Sequence, residues 1–123
     1  MSVKRFLVCV DDEVIGSSDL EGQDPGMGVA CGPFFPTPSY EKVRSTFELF
    51  SAAVEDPRNE GVLATYYAQR DALGLTLRTS DERTVPAATI HITDFSRELG
   101  DDGYELEVIV QDRETYERFF STR

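Results

Sequence analysis

Apolar positions along the chain fall into short runs with distinct periods. Lys4–Val10 places Phe6, Val8 and Val10 on one side of an extended chain, and Leu7 and Cys9 on the other. Apolar residues on both sides predict an interior strand covered on two faces. The run stops at Asp11-Asp12-Glu13, whose carboxylates do not stay buried unpaired.

Residues 14–37 show no sustained period and hold Gly16, Gly22, Pro25, Gly26, Gly28, Gly32, Pro33 and Pro36. This punctuation predicts one long Gly/Pro-rich loop. Met27, Val29, Phe34 and Phe35 lie in its second half, which is expected to dock on something, with Phe34 and Phe35 filling the domain's own core or, as the less favoured reading, offering an exposed apolar contact to a partner.

Thr37-Pro38 reads as a helix start, with Thr37 as N-cap and Glu41 in the first turn. Tyr40, Val43, Phe47, Phe50 and Val54 follow at helical spacing, and Pro57 ends the helix near Glu55. Residues 59–72 are read as a second helix, with Asn59 as cap, Gly74 as terminator, and Val62, Leu63, Tyr66, Tyr67 and Leu73 at helical period. Its Val-Leu-Ala-Thr-Tyr-Tyr content would also suit a strand, turned at residues 69–71 to pair with residues 73–79.

Residues 73–79 alternate, with Leu73, Leu75 and Leu77 on one face. Ser80–Arg83 is a polar turn and Thr84–Thr93 the return strand of a hairpin, its start pushed to an edge or bulge by Pro86. A polar connection at 94–103 leads to a last strand at 104–111. There Tyr104, Leu106, Val108 and Val110 face the core while Glu105 and Glu107 face water. Asp112 caps a final helix bearing Tyr116, Phe119 and Phe120 on one side. Consecutive strands with short connections pair antiparallel. The fold class is therefore α+β: a single domain over residues 1–123, with a mainly antiparallel sheet of about four strands and two or three helices packed on one face.

Charge changes this picture most. The net charge is −11, from 23 acidic against 12 basic residues. That opposes direct nucleic-acid binding, which needs clustered Lys and Arg, and opposes docking on anionic membranes. Asp11, Asp12, Glu13, Asp19, Glu21 and Asp24 fall in a stretch with no Lys or Arg between Arg5 and Lys42. Glu98, Asp101, Asp102, Glu105, Glu107 and Asp112 form a second, unbroken until Arg113. If the first and last strands are antiparallel neighbours, the two stretches meet as one negative patch that steers a basic protein.

The only histidine, His91, shares a strand face with Thr89 and Thr93 and is followed by Asp94. Together these make either a general base oriented by a carboxylate or a hydrogen-bonded sheet histidine. The second is favoured, since one His beside one Asp is common by chance. Cys31 as a nucleophile for His91 has no surrounding signature. Cys9 and Cys31 read as reduced, packed thiols. One His and two Cys are too few and too scattered for a structural zinc site, no EF-hand or phosphate-loop pattern occurs, and no cofactor is expected. Tyr66, Tyr67, Arg70 and Asp71 suit a binding surface, or two core tyrosines beside a solvated charge pair. No apolar run approaches the ~20 residues of a membrane span and no leader pattern opens the chain, so a soluble cytoplasmic protein is expected.

These readings converge on a non-enzymatic binding protein. In size and charge alone it is like small acidic inhibitors, immunity proteins included, which occlude a basic partner. The alternative is a small enzyme or ligand-binding domain whose pocket uses His91 and Asp94, and a third is a structural, oligomer-forming protein.

Overall fold

A computed structural model describes residues 5–24, 26–55, 58, 60–86, 89–110 and 112–120. Strands β1 (Phe6–Val10) and β2 (Glu13–Ser18) form a hairpin turned at Asp11 and Asp12, with φ of 48° and 68°. Two successive left-handed residues match the twist of the flanking strands, and Asp tolerates that region better than most side chains. β3 (Gly22–Asp24), β4 (Val29–Pro33) and β5 (Phe35–Pro36) follow at once. The predicted long loop is thus mostly strand. Its elements run two to six residues, too short to display alternation, and some of its glycines are strand residues in close contact. A Cβ at Gly16 would overlap the Phe34 ring.

The stretch read as the start of one helix divides at Val43. Pro38–Lys42 is a 3₁₀ turn, and α1 runs from Arg44 to Glu55. The Thr37 hydroxyl does not cap it but donates to the Val14 carbonyl at 2.7 Å, tying the turn to β2. Residues 59–72 resolve as helix: α2 is Glu60–Leu73, closed by Gly74 at φ 63°. Strand β6 (Thr76–Thr79) is therefore shorter than the 73–79 expected, since Leu73 belongs to α2.

The return strand breaks in two. β7 (Thr84–Val85) pairs with β6, and after Pro86 the chain moves to another sheet as β8 (Thr89–Asp94). Proline cannot donate to a ladder, so the hairpin ends there. The polar connection holds α3 (Ser96–Leu99) and a 3₁₀ turn at Gly100–Asp102. β9 (Tyr104–Ile109) and α4 (Arg113–Phe120) complete the chain, and Asp112 caps α4 through Thr115 N (3.3 Å) and Oγ1 (2.5 Å). Lys4, Pro25, Pro57, Asn59 and Gln111, given roles in the sequence, lie outside the described residues, as does the side chain of Val54.

The α+β class stands, but the expected single sheet is two. The first sheet has the order β5-β2-β1-β6-β7 and the second β3-β4-β9-β8, and every paired neighbour is antiparallel. Phe6, Val8, Ile15, Leu77 and Val85 from the first sheet and Ala30, Ile90, Ile92, Leu106 and Val108 from the second belong to one buried cluster. α1 lies against β8, where Ser51 Oγ donates to the Asp94 carbonyl at 2.6 Å. α4 packs elsewhere, with Phe120 on Phe6 of β1 (5.1 Å between rings) and the Tyr116 hydroxyl on the Val29 carbonyl. α1 and α4 thus meet different strands, β8 of the second sheet and β1 of the first. Among the described residues no helix is long and apolar enough to cross a membrane.

β1 sits in the middle of the first sheet and β9 in the middle of the second. They are not neighbours, so the route by which the two acidic stretches were expected to merge is not the one the chain takes.

Candidate outer face of the second sheet

Residues directly opposite in paired strands share a face. The second sheet therefore presents three outward rows. Asp24, Val29, Ile109 and Thr89 form one, Gly22, Cys31, Glu107 and His91 the next, and Pro33, Glu105 and Thr93 the third. Their inward-pointing neighbours Ala30, Ile90, Ile92, Leu106 and Val108 are core. Of the expected site residues this face gathers Cys31, His91, Glu105, Glu107 and Asp24. α2 brings Tyr66 and Tyr67 to one margin, and the turn before β9 carries Asp101 and Asp102 at another.

His91 is held at the α1–α2 margin. The buried Tyr66 hydroxyl is hydrogen-bonded to Nδ1, and Nε2 lies 3.2 Å from Thr93 Oγ1, so each nitrogen of the neutral ring has a hydroxyl partner able to donate or accept. The Phe50 ring stands 4.2 Å away. Burial, helped by the Arg70 charge, lowers the His91 pKa from 6.5 to about 4. Burial likewise raises Tyr66 to about 12, keeping its hydroxyl protonated. Arg70 lies over the Tyr67 ring at 5.1 Å and beside Asp71 at 3.2 Å, and Glu107 faces His91 from β9.

This arrangement has a titration signature. Unfolded, His91 takes a proton below its ordinary pKa near 6.5; folded, it resists until about 4. Stability from this group is therefore complete above pH 6.5 and is lost as pH falls to 4. Allowing for partial exposure, the loss is expected to be about 2 kcal/mol. His91→Gln, which keeps one acceptor and one donor, removes that component. Urea titrations of both proteins at pH 7, 5.5 and 4 should show the difference, and parallel pH profiles would refute the buried neutral imidazole.

The catalytic readings meet a different geometry. Asp94 points to the opposite face of β8 from His91 and is buried among Tyr40, Arg44 and Ser96, so it does not orient the imidazole. Cys31 and His91 flank Glu107 on either side, about 10 Å apart at the backbone, beyond hydrogen-bond reach for a nucleophile and its base. The Cys31 thiol is raised by burial and by Glu105 and Glu107, opposite to the activation a nucleophile needs. Among the described residues no group of three or more His, Cys, Asp or Glu is gathered for a metal ion.

The other acidic positions divide. Asp12 pairs with Arg78, and Glu13 with Lys42 (2.9 Å) and Ser39, both on the first sheet's side, and Asp11 is exposed in the same hairpin turn. Asp19 accepts from Glu21 N at 3.2 Å in the bend between the sheets. Among the described residues none of Asp24, Asp101, Asp102, Glu105 and Glu107 has an ion-pair partner. Two shallow concavities, of about 300 and 340 Å³, lie along β8 and β9 and share Thr93. Val29, Ile109, Pro33, Phe50, Phe95 and Leu99, absent from the sequence-level site, complete this surface. Val29, Pro33 and Ile109 reach it by strand pairing, and Phe50, Phe95 and Leu99 from α1 and the β8–α3 segment that line its two concavities; both signals are nonlocal. Compared with known proteins, the chain matches no family model, no curated protein and no solved structure.

Proposed function

We propose that this protein is a non-enzymatic binding protein that occludes a basic partner with the outer face of its second sheet. One observation carries the reading. The four strands of that sheet contain no Lys or Arg, while Asp24, Glu105 and Glu107 stand on the same outward face and lack ion-pair partners among the described residues. Half-buried Val29, Cys31 and Ile109 and exposed Pro33 lie between them, giving apolar contact inside a charged frame. Such a field speeds encounter with positive surfaces and disfavours negative ones.

The test compares the immobilised chain with its E105K/E107K variant against a cell lysate at about 0.05 M and 0.5 M salt. Basic proteins are expected on the wild type at low salt, released at high salt, and reduced roughly tenfold on the variant, the factor for ~1.4 kcal/mol of lost charge pairing. Asp11→Lys, in the first sheet's hairpin, should leave retention unchanged. Equal retention on E105K/E107K would dispose of the reading.

A further inference from the structure

Where β8 gives way to α3 and the chain returns to β9, a concavity of about 340 Å³ opens beside the strand face. One wall is apolar: Phe95 and Leu99, the latter 62% exposed. Asp102 and Glu105 line it with carboxylates, and Thr93 adds a hydroxyl. Of the cations nearby, Arg97 is directed to Glu48 at 3.9 Å, and Arg44, over the Tyr104 ring at 5.5 Å, is held by Asp94 and Glu41. The walls are held in place. Phe95 N donates to the Gly103 carbonyl at 2.8 Å, and the two segments approach so closely that a Cβ on Gly103 would lie 2.6 Å from the Phe95 backbone. A site fixed before its ligand arrives avoids the ordering cost of binding.

We infer that this concavity anchors an arginine side chain of the basic partner, an inference that rests on the docking role of the adjoining sheet face. An arginine stem is aliphatic and matches the Leu99–Phe95 wall, while its head seeks carboxylates. The guanidinium carries five donors in a plane, enough for Asp102, Glu105 and the Thr93 hydroxyl together. Its weakly hydrated faces tolerate an apolar wall that a strongly hydrated ammonium does not. Arginine is also the charged residue most often found as the buried anchor of an interface.

The probe is the tripeptide acetyl-Gly-Arg-Gly-amide, titrated into the full chain and followed by amide NMR, with lysine and citrulline versions in parallel. The arginine peptide should shift Leu99, Gly103 and Glu105 and saturate on the order of millimolar. The lysine peptide should bind at least about threefold more weakly, and citrulline should give no saturable shift. D102N/E105Q should abolish the shifts while keeping the dispersion of a folded spectrum. Equal response to citrulline, shifts that survive D102N/E105Q, or shifts confined to the His91–Tyr67 margin would each overturn the assignment. The two readings part cleanly. If basic proteins still bind D102N/E105Q but not a Glu107→Lys variant, the sheet face stands and the arginine anchor falls. If the tripeptide binds as described but no basic protein is retained by the wild type, the docking role falls and with it the partner's arginine.

Discussion

Asp94→Ala is expected to destabilise the protein by about 3–5 kcal/mol, the range for removing one member of a buried charge pair, and to lower Tm by at least about 10 °C. The Asp94 side chain is 2% exposed. Its Oδ2 accepts from the Tyr40 hydroxyl at 2.8 Å and Arg44 Nη1 at 3.2 Å, and its Oδ1 from Ser96 N at 3.0 Å and Ser96 Oγ at 2.6 Å. Arg44 in turn holds Ser96 Oγ and Glu41 and lies over the Tyr40 and Tyr104 rings at 4.9 and 5.5 Å. One carboxylate thus ties the 3₁₀ turn, the start of α1, the end of β8 and the start of α3. Alanine leaves the buried Tyr40 hydroxyl without its acceptor and the Arg44 guanidinium without its innermost counter-charge, and both losses fall on the folded state. Asp94→Asn keeps one acceptor and nearly the same shape, so its loss should be about half as large. Urea unfolding read by two probes would measure both, and a loss under about 1 kcal/mol for the alanine variant would mean that the node does not hold these elements together.

Asp94 also shows what is and is not legible in the sequence. Alternation along β8 puts it with Ile90 and Ile92, on the core side. That signal is present, but the neighbouring histidine draws the residue into a catalytic reading. Elements whose cues are local read well. The α2 helix has a long helical period and a terminal glycine, α4 has its Asp112 cap, and β9 has alternation strong enough to set Glu105 and Glu107 outward. β2 to β5 escape because each is shorter than the window in which a period is visible, and because Gly16 and Pro33 belong to strands while looking like breakers. The partition into two sheets is set by which strands pair across distant sequence, and residue pattern alone does not encode that. For the same reason Cys31, Glu107 and His91 stand out separately in the sequence but not as one row. Tyr66 is legible as a core tyrosine with a polar tip, although its partner, His91, is not.

Phe34 and Phe35, adjacent in sequence, should behave oppositely. Both are expected in the core from the sequence, yet Phe34 is 1% exposed and Phe35 48% exposed. Phe34 stands at the crossing from the second sheet to the first. Its amide donates to the Tyr104 carbonyl at 3.1 Å, and its ring meets Tyr40 at 5.6 Å and Tyr104 at 6.3 Å, both edge-on. Phe34→Ala is expected to cost about 3–5 kcal/mol, the transfer loss plus an unfilled cavity. Phe35→Ala removes only an outward ring under the Arg5 guanidinium, 5.6 Å away, and should cost under about 1 kcal/mol. The cavity has a specific neighbour. Because a methyl at Gly16 would overlap the Phe34 ring, Gly16→Ala alone should be destabilising by about 1–3 kcal/mol through overpacking. In the Phe34→Ala background that methyl enters empty space, so the double variant should be at least as stable as Phe34→Ala. Chemical denaturation of the four proteins in the cycle measures the coupling, and simple additivity would show that Gly16 and Phe34 do not share the space the fold assigns them.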